Sequence, residues 1–387
     1  MHTLFSLSSY LLSLTSYLLL LFASPVSAQE PFTVLTYNCE NAFDTIHDAG
    51  HQDQDFLPDG KNHWTRARYF RKMRRIAQVI AAADTVRPAD LVILEEVEND
   101  TVLTHLIQRT PLKNLGYSYV MTHNHTARGI DVAILYAPRT FQLLGTDEIK
   151  MDMKPGTKTD FSINVSQRQE EGTDWGVRVT EEVRPVLHVW GKLATGDTLD
   201  VYGLHLPSKL GAGTAEKARK NIGYKVRQHV DSLMRIRQRP LLLLAGDFND
   251  TPRSSVCRKV LRSVAPFKGE INISVHASPY TLYNMMAGKG KDGGSYKWRG
   301  SWNWIDQILV SGNLLRSDSP LRLQLRPATQ LKPADAAVEA LQLPFLLEAD
   351  DSYRGLRPFR TFFGPRYHGG YSDHLPVVAR FWLQKQP

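Results

Sequence analysis

Short apolar segments recur along this chain between turn-forming residues, and they constrain its fold more than any other feature. Several are apolar at successive positions, which indicates strands that are buried on both faces of a sheet. The predicted strands are FTVLTYN (32–38), DLVILEEV (90–97), DVAILYA (131–137), RPVLHVWGKL (184–193), LDVYGLHL (199–206), PLLLLAGDF (240–248), WIDQILVS (304–311) and LPVVARFWL (375–383).

Two longer segments, 63–83 and 214–234, have apolar residues at helical spacing instead. Strands and helices alternate, so the sequence predicts an α/β or α+β class with a strand-rich core. The 387 residues, of which 42% are apolar, can bury a large core. Since no internal repeat, low-complexity tract or linker interrupts the chain, we expect one domain over residues 29–387.

The first 28 residues differ in character from the rest. LLSLTSYLLLLFASPVSA (11–28) is apolar, contains no charged residue and ends in the small residues that precede a signal-peptidase cleavage site. This pattern predicts a cleaved signal peptide at 1–28, and therefore a secreted or periplasmic protein. An uncleaved membrane anchor is the alternative, because the segment lacks an initial Lys or Arg.

Cysteine content and net charge limit the kinds of disulfide, metal site and partner that we expect for this protein. Cys39 and Cys257 are too few for a disulfide framework or a cysteine-based zinc site. The formal net charge is +8 at pH 7, and the predicted signal peptide contributes none of it. Such a balance favours polyanionic partners or anionic surfaces.

Polar side chains follow the apolar runs at five strand ends. Carboxylate, carboxamide and imidazole groups of this kind, without Cys, favour Mg²⁺ or Mn²⁺ over zinc. Each has a structural alternative: Asp373 can cap a turn, Asp247 and Asn249 can form one, His205 can be a core histidine, and Glu98 can be a solvated residue at a helix start. The residues at these strand ends are Asn38, Glu40, Glu95, Glu96, Glu98, Asp247, Asn249, Asp306, Asp373 and His374.

In their order along the chain, these motifs resemble those of the endonuclease/exonuclease/phosphatase superfamily, which includes deoxyribonuclease I. The resemblance covers roughly residues 32–382 and is carried by TYNCEN, LEEVEN, GLHLPS, AGDFN, IDQILVS and YSDHLPVV. It implies an α+β fold, a four-layer α/β/β/α sandwich, with the site where the strand ends of two sheets meet.

The resemblance also implies roles for individual residues. Glu96 resembles the family's metal carboxylate, with Asn38 and Glu40 beside it and Asp373 as a further ligand or a supporting group. Asp247 resembles the residue that orients or deprotonates the attacking water, and Asn249 its positioning partner. Asp306 and His374 resemble the family's Asp-His pair, His205 an additional catalytic histidine, and Arg184 an arginine that grips the phosphate.

The motifs indicate the type of reaction more specifically than they indicate the substrate. Residues 282–304 interleave cations with aromatic rings, and we expect Lys297 and Arg299 to bind substrate there. The helix at 63–83 carries six cations, which we expect to form a solvated face that could steer a polyanion: Arg66, Arg68, Arg71, Lys72, Arg74 and Arg75. A secreted, monomeric, Mg²⁺- or Mn²⁺-dependent nuclease acting on DNA or RNA is the leading hypothesis. A phosphodiesterase or phosphatase for phospholipid or inositol phosphate headgroups is the alternative, and a non-catalytic binding module is a third.

Overall fold

A computed structural model describes residues 29–84, 87–124, 126–150, 183–209, 212–266, 276–324 and 338–384. The predicted signal peptide lies outside these residues, so its identity stays a prediction. Among the helices of the described part, none combines the length and apolar character needed to cross a bilayer.

The structure describes three helices of more than two turns. Two of them begin after a residue whose side chain accepts a hydrogen bond from the first turn. Thr65 Oγ1 accepts a hydrogen bond from the backbone N–H of Arg68 at 3.4 Å, and Asn99 Oδ1 accepts one from Val102 at 3.0 Å. The helices are α1 (Arg66–Ala81), α2 (Asp100–Gln108) and α3 (Ala212–Ile236). Short 3₁₀ turns lie at Gln54–Phe56, Pro111–Asn114, Gly312–Leu315 and Pro344–Leu346, and a π turn at Val256–Val260.

Nineteen strands are described, and all eight strands predicted from the sequence are among them. The strands are β1 (Gln29–Ala42), β2 (Leu91–Val97), β3 (Ser118–Met121), β4 (Asp131–Tyr136), β5 (Phe141–Ile149), β6 (Val186–Leu193), β7 (Thr198–His205), β8 (Leu241–Asp247), β9 (Leu282–Asn284), β10 (Tyr296–Trp298), β11 (Ser301–Asn303), β12 (Asp306–Ser311), β13 (Leu321–Leu323), β14 (Val338–Ala340), β15 (Leu347–Ala349), β16 (Leu356–Pro358), β17 (Phe362–Phe363), β18 (Arg366–Tyr367) and β19 (Val377–Gln384).

Two large sheets contain most of these strands. The first has the order β13-β19-β1-β2-β4-β3, with β14 also paired to β19, and the second has the order β5-β6-β7-β8-β12-β9. Each sheet has one central parallel pair, β1 with β2 and β7 with β8, flanked by antiparallel neighbours. The two sheets therefore present equivalent strand ends at one edge.

The strands are apolar at successive positions because each one is covered on both faces. In β2, Leu91 and Ile93 join the core between the sheets, whereas Val92 and Leu94 face the core under α1 and α2. In β8 the four leucines alternate in the same way between the inter-sheet core and the core under α3. The layers are thus helix, sheet, sheet, helix, and the predicted α+β sandwich is confirmed.

Two expectations about charged residues are wrong. Glu98 is buried, and its Oε2 accepts the backbone N–H of Asp44, so it is not a solvated residue at a helix start. The basic helix α1 is not a uniformly solvated cationic face either, since Lys72 is buried and donates to Thr361 Oγ1 at 2.5 Å. Arg75 lies against the ring of Tyr371. Lys72 and Arg75 therefore contact the segment that precedes β19, at Thr361 and Tyr371.

Candidate active site

Left-handed backbone conformations concentrate where the strand ends of the two sheets meet. Seven non-glycine residues of the described chain have positive φ, and four of them lie here: Glu40 (50°), Asn41 (59°), Glu96 (62°) and Asn249 (48°). Such conformations are costly for residues with a Cβ and cluster at functional sites. Gly246 has a φ of 147°, and a Cβ on it would meet the carbonyl oxygen of Leu204 at 1.9 Å. Only glycine lets β8 approach β7 this closely before Asp247.

Asp306 and His374 form a buried ion pair between the sheets. Asp306 begins β12, His374 lies just before β19, and Asp306 Oδ2 is 2.8 Å from His374 Nδ1. Burial alone would lower the pKa of His374, but the carboxylates of Asp306, Asp373 and Asp247 raise it well above its usual range. His374 is therefore an imidazolium whose Nε2–H faces the site.

Asp247 lies opposite Asp306 in the register of β8 and β12, and polar groups fix both of its oxygens. Oδ1 accepts the backbone N–H of Asn249 at 2.7 Å. Oδ2 accepts the side-chain amides of Asn249 at 3.1 Å and Asn38 at 3.2 Å. Burial and the neighbouring Asp306 carboxylate raise the pKa of Asp247 to about 7. This carboxyl can exchange a proton near neutral pH.

The two adjacent glutamates of β2 differ in charge state, because Glu95 is neutral and Glu96 is ionised. Burial, reinforced by the charge of Asp306, raises the pKa of Glu95 well above its usual range, and this residue accepts a hydrogen bond from Thr36 Oγ1 inside the sandwich. Burial also acts on Glu96, but the charges of Arg128 and Arg184 overcome it and lower the pKa to about 2. Glu96 is thus the ionised carboxylate at the surface of the site.

His205, at the end of β7, completes the set of imidazoles. Its Nε2 lies 3.9 Å from both Glu96 Oε1 and Asp247 Oδ2, and His374 Nε2 lies 4.0 Å from both Asp247 Oδ2 and Asp373 Oδ1. These gaps are too long for direct hydrogen bonds and suit a bridging oxygen of water or of a ligand. Burial and the charge of Arg184 lower the pKa of His205 well below its usual range, so this ring is neutral.

Two groups of residues could hold a metal ion. Asp247, Asp306 and His374 each offer a ligand atom, and these atoms lie within 4.8 Å of one another. The imidazolium of His374 already donates to Asp306, however, and a protonated ring has no lone pair for a metal. Glu96 fits better, because it is ionised and the hydrogen bonds from Asn41 and Arg128 go to its Oε2, while Oε1 faces His205 Nε2 at 3.9 Å. The amide of Asn38 lies beside the same strand end, on the strand that pairs with β2.

Asp373 lies at the site, whereas the carboxylate of Glu40 is engaged elsewhere. Asp373 Oδ2 accepts from Arg360 Nη2 at 3.2 Å. Glu40 follows a bulge in β1, which breaks the alternation that would have placed it beside Asn38. Its oxygens accept the backbone N–H groups of Thr361 at 2.6 Å and Phe362 at 3.3 Å. Glu40 therefore anchors the segment that carries Arg360.

The three predicted substrate-binding residues have different surroundings. Arg184 lies close enough to Glu96 and His205 to lower the pKa of both. The side chain of Lys297 is only 4% exposed, and its Nζ donates to Asp350 Oδ2 at 2.6 Å, so this residue anchors a hairpin. Arg299 is exposed at the tip of that hairpin, with its guanidinium 5.8 Å from the Trp298 ring.

Several residues of the site were not identified from the sequence. Arg128 donates to Asn41 Oδ1 and to Glu96 Oε2, and the backbone N–H of Asn41 donates to the same Glu96 oxygen at 2.9 Å. The Tyr296 ring packs on His374 with centroids 4.8 Å apart. Tyr296 belongs to the segment 282–304, where the sequence already showed cations interleaved with aromatic rings. Arg128 lies three residues before the predicted strand at 131–137, and no pattern there indicated its role.

Comparison with known proteins agrees with this arrangement. The sequence model described as the Endonuclease/Exonuclease/phosphatase family matches residues 33–384, which is most of the chain. This chain belongs to that family. Its members are hydrolases of phosphoester bonds and typically require a divalent metal ion. Comparison with curated protein sequences gave no match.

Solved structures of the family have the same fold. A member from Bacteroides thetaiotaomicron is 17% identical, with a TM-score of 0.51, over 92% of this chain and 97% of the other. A member from Bacteroides vulgatus is 14% identical, with a TM-score of 0.50, over 92% of this chain and 100% of the other. A mannosyl-6-phosphatase from B. thetaiotaomicron is 18% identical, with a TM-score of 0.48, over 90% and 99%. At these identities the first two likenesses concern the fold alone, and nothing is drawn from the third.

Proposed function

We propose that this family member is an exported, divalent-metal-dependent phosphodiesterase that hydrolyses DNA or RNA strands. The observation that carries the proposal is the buried His374 imidazolium, held by Asp306 at 2.8 Å and separated by 4.0 Å from the carboxylates of Asp247 and Asp373. A proton donor and a proton acceptor thus face each other at a distance that one bridging oxygen, of water or of a phosphoryl group, can span.

The protonation states assign complementary roles to the two central residues. Asp247, with a pKa of about 7, accepts a proton from the attacking water, while Asn249 and Asn38 fix its orientation. His374 donates from Nε2 to a phosphoryl oxygen, and Asp306 keeps the ring charged and correctly oriented. Proton transfer by a positioned group of this kind contributes about 10²–10⁴ in rate.

Glu96 and Asn38 would hold the metal ion, and Mg²⁺ or Mn²⁺ suits their oxygen ligands. When bound, a divalent ion stabilises the charge that develops on the phosphoryl group. Arg128 and Arg184 place further positive charge beside Glu96, and Arg360 does so beside Asp373. These guanidinium groups can orient the anionic phosphodiester.

The nucleic-acid part of the proposal is supported by the surroundings of His374 and by the net charge of +8. The hairpin β10–β11 begins at Tyr296 beside His374 and extends outward to an exposed tip. A substrate that continues beyond the reacting phosphate can follow this hairpin. Export is supported by the apolar segment at 1–28, and sequencing the N-terminus of the mature protein would test it.

The decisive experiment compares substrates under one set of conditions. The mature protein with Mg²⁺ or Mn²⁺ is assayed against single-stranded DNA, duplex DNA, RNA, sphingomyelin and inositol phosphates. We expect turnover of a nucleic acid to exceed that of either headgroup substrate, and His374→Ala to lower it by about two orders of magnitude. Faster hydrolysis of sphingomyelin or an inositol phosphate than of any nucleic acid would refute the nuclease proposal and support the headgroup alternative.

A further inference from the structure

The hairpin β10–β11 has two faces with different environments. Its register pairs Tyr296 with Asn303, Lys297 with Trp302 and Trp298 with Ser301. Paired residues share a face of the ladder, and successive residues alternate between faces. Lys297 and Trp302 therefore lie on one face, and Tyr296 and Trp298 lie together on the other.

The first face attaches the hairpin to the rest of the protein. Lys297 Nζ bonds Asp350 Oδ2 at 2.6 Å and the carbonyl oxygens of Arg354 and Leu356 at 3.2 and 3.0 Å. Trp302 packs against the core under α1 and α2. The side chains of this face therefore anchor the hairpin to the rest of the protein.

The turn of the hairpin is attached as well. Gly300 has a φ of 78°, and a Cβ on it would meet the Tyr353 ring at 3.0 Å. This close approach, together with the left-handed φ, requires glycine. The position of the hairpin tip is therefore fixed by contacts on the side away from Trp298.

The second face starts at the catalytic histidine. Tyr296 forms an isolated antiparallel bridge with His374, and their rings pack at 4.8 Å. Trp298 follows two residues later, about 7 Å along the same face. Its side chain is 51% exposed and belongs to none of the cores formed by the described residues, although Trp302 and Trp304 both pack against one. The anchored hairpin thus exposes the Trp298 ring to solvent, two residues along the same face from Tyr296, which packs on His374.

We propose that Trp298 is the stacking site for the nucleobase next to the scissile phosphate, and that it selects unpaired strands. This inference rests on the proposed nuclease function. Every nucleobase has a π-face, so a single exposed indole binds without sequence preference. A base inside a duplex is already covered by its neighbours and must unstack to reach Trp298. The nearby Arg299 guanidinium adds a cation on the same tip.

The test measures binding in the slow His374→Ala background with Mg²⁺ present, over times too short for its residual turnover to consume the ligand. The two ligands are an oligothymidylate and an oligomer of equal length and charge made of abasic deoxyribose phosphates. We expect the parent to prefer the oligothymidylate by about 5- to 150-fold, the range that one stacked base contributes. Adding Trp298→Ala should remove the preference and leave the affinity for the abasic oligomer unchanged. Trp298→Tyr should restore most of it.

A matched control is Tyr280→Ala, which removes an aromatic ring that is 59% exposed before β9. Strand β9 pairs with the end of β12 that lies away from Asp306, so this variant should keep the preference. The inference is overturned if Trp298→Ala keeps the preference for bases, or if it unfolds the protein and Trp298→Tyr does not rescue it. It is also overturned if Trp298 affects duplex binding equally.

The outcomes separate this inference from the function on which it rests. A wild-type enzyme that cleaves nucleic acid, with a Trp298→Ala variant of unchanged KM on single strands, refutes the stacking site alone. A wild-type enzyme that cleaves no nucleic acid and binds neither oligomer refutes both. Trp298-dependent hydrolysis of a phosphorylated sugar instead would assign the ring to a carbohydrate.

Discussion

Replacing Glu98 by Gln should stabilise this protein at neutral pH. Glu98 is buried directly after β2, and its Oε2 accepts the backbone N–H of Asp44. Burial, together with the charges of Asp44, Asp48 and Asp53, raises its pKa from 4.5 to about 9. The folded protein therefore holds Glu98 protonated at pH 7, and a neutral glutamine has nearly the same shape and the same acceptor oxygen.

The magnitude follows from proton linkage. Below pH 4.5 the side chain is protonated in both states, and the pKa difference has no effect on stability. Between pH 4.5 and about 9 the unfolded chain releases a proton that the folded chain keeps, so wild-type stability decreases as pH rises. At pH 7, about 2.5 units above the unfolded pKa, this amounts to about 3 kcal/mol. Glu98→Gln removes that loss.

Urea denaturation of wild type and Glu98→Gln at pH 4.5, 6, 7 and 8.5 measures the effect. We expect the difference in unfolding free energy to be near zero at the lowest pH and to grow steadily towards the highest. Turnover should be unchanged, because Glu98 contacts none of the catalytic groups described here. Parallel stability curves at all four pH values would show that Glu98 is ionised in the folded protein and would refute the reasoning.

The remaining predictions concern the site and its support. Exhaustive treatment with EDTA should abolish hydrolysis and Mg²⁺ or Mn²⁺ should restore it, whereas full activity of verified metal-free protein would contradict the metal assignment. Alanine at His374, Asp247 or Glu96 should each lower turnover by about two orders of magnitude with a native circular dichroism spectrum. Asp306→Asn should lower the pKa of His374, because Asp306 contributes most to raising it, and NMR titration of the ring would detect a failure to shift. Lys297→Ala should lower stability by about 1–2 kcal/mol, measured by urea denaturation, because Asp350 loses its partner.

Much of the architecture follows from local sequence patterns. The centres of runs such as 90–97 and 240–248, at 91–94 and 241–245, are apolar at every successive position, which is typical of a strand covered on both sides, and both became central strands of the sandwich. Helical spacing located α1 and α3 to within a few residues. The pairing order was not readable from these patterns, because any of the apolar strands could pair with any other.

The catalytic candidates were identified because chemistry concentrates at strand ends. Asp247, Asp306 and His374 lie far apart in sequence, yet the structure brings their ligand atoms within 4.8 Å. Glu40 shows the limit of the strand rule, since a bulge in β1 turns its carboxylate towards Thr361 and Phe362. Between Asn38 and Ala42 the register of β1 with β2 shifts, and Glu40 and Asn41 adopt left-handed φ values, which ends the simple alternation of faces. The residue types do not reveal this irregularity.

By itself, the sequence determined which segments are strands and helices and which residue types end them, because burial on two faces and helical amphipathicity leave local periodic patterns. Only the tertiary structure decided the charge states and the uses of the charged residues. Glu95 and Glu96 are adjacent and identical in type, yet one is neutral beside Asp306 and the other is ionised beside Arg128. Lys297 was expected to bind substrate and instead bonds Asp350, 53 residues away. The free energy of a charge depends on what surrounds it in space, and those neighbours come from parts of the chain that no local pattern connects.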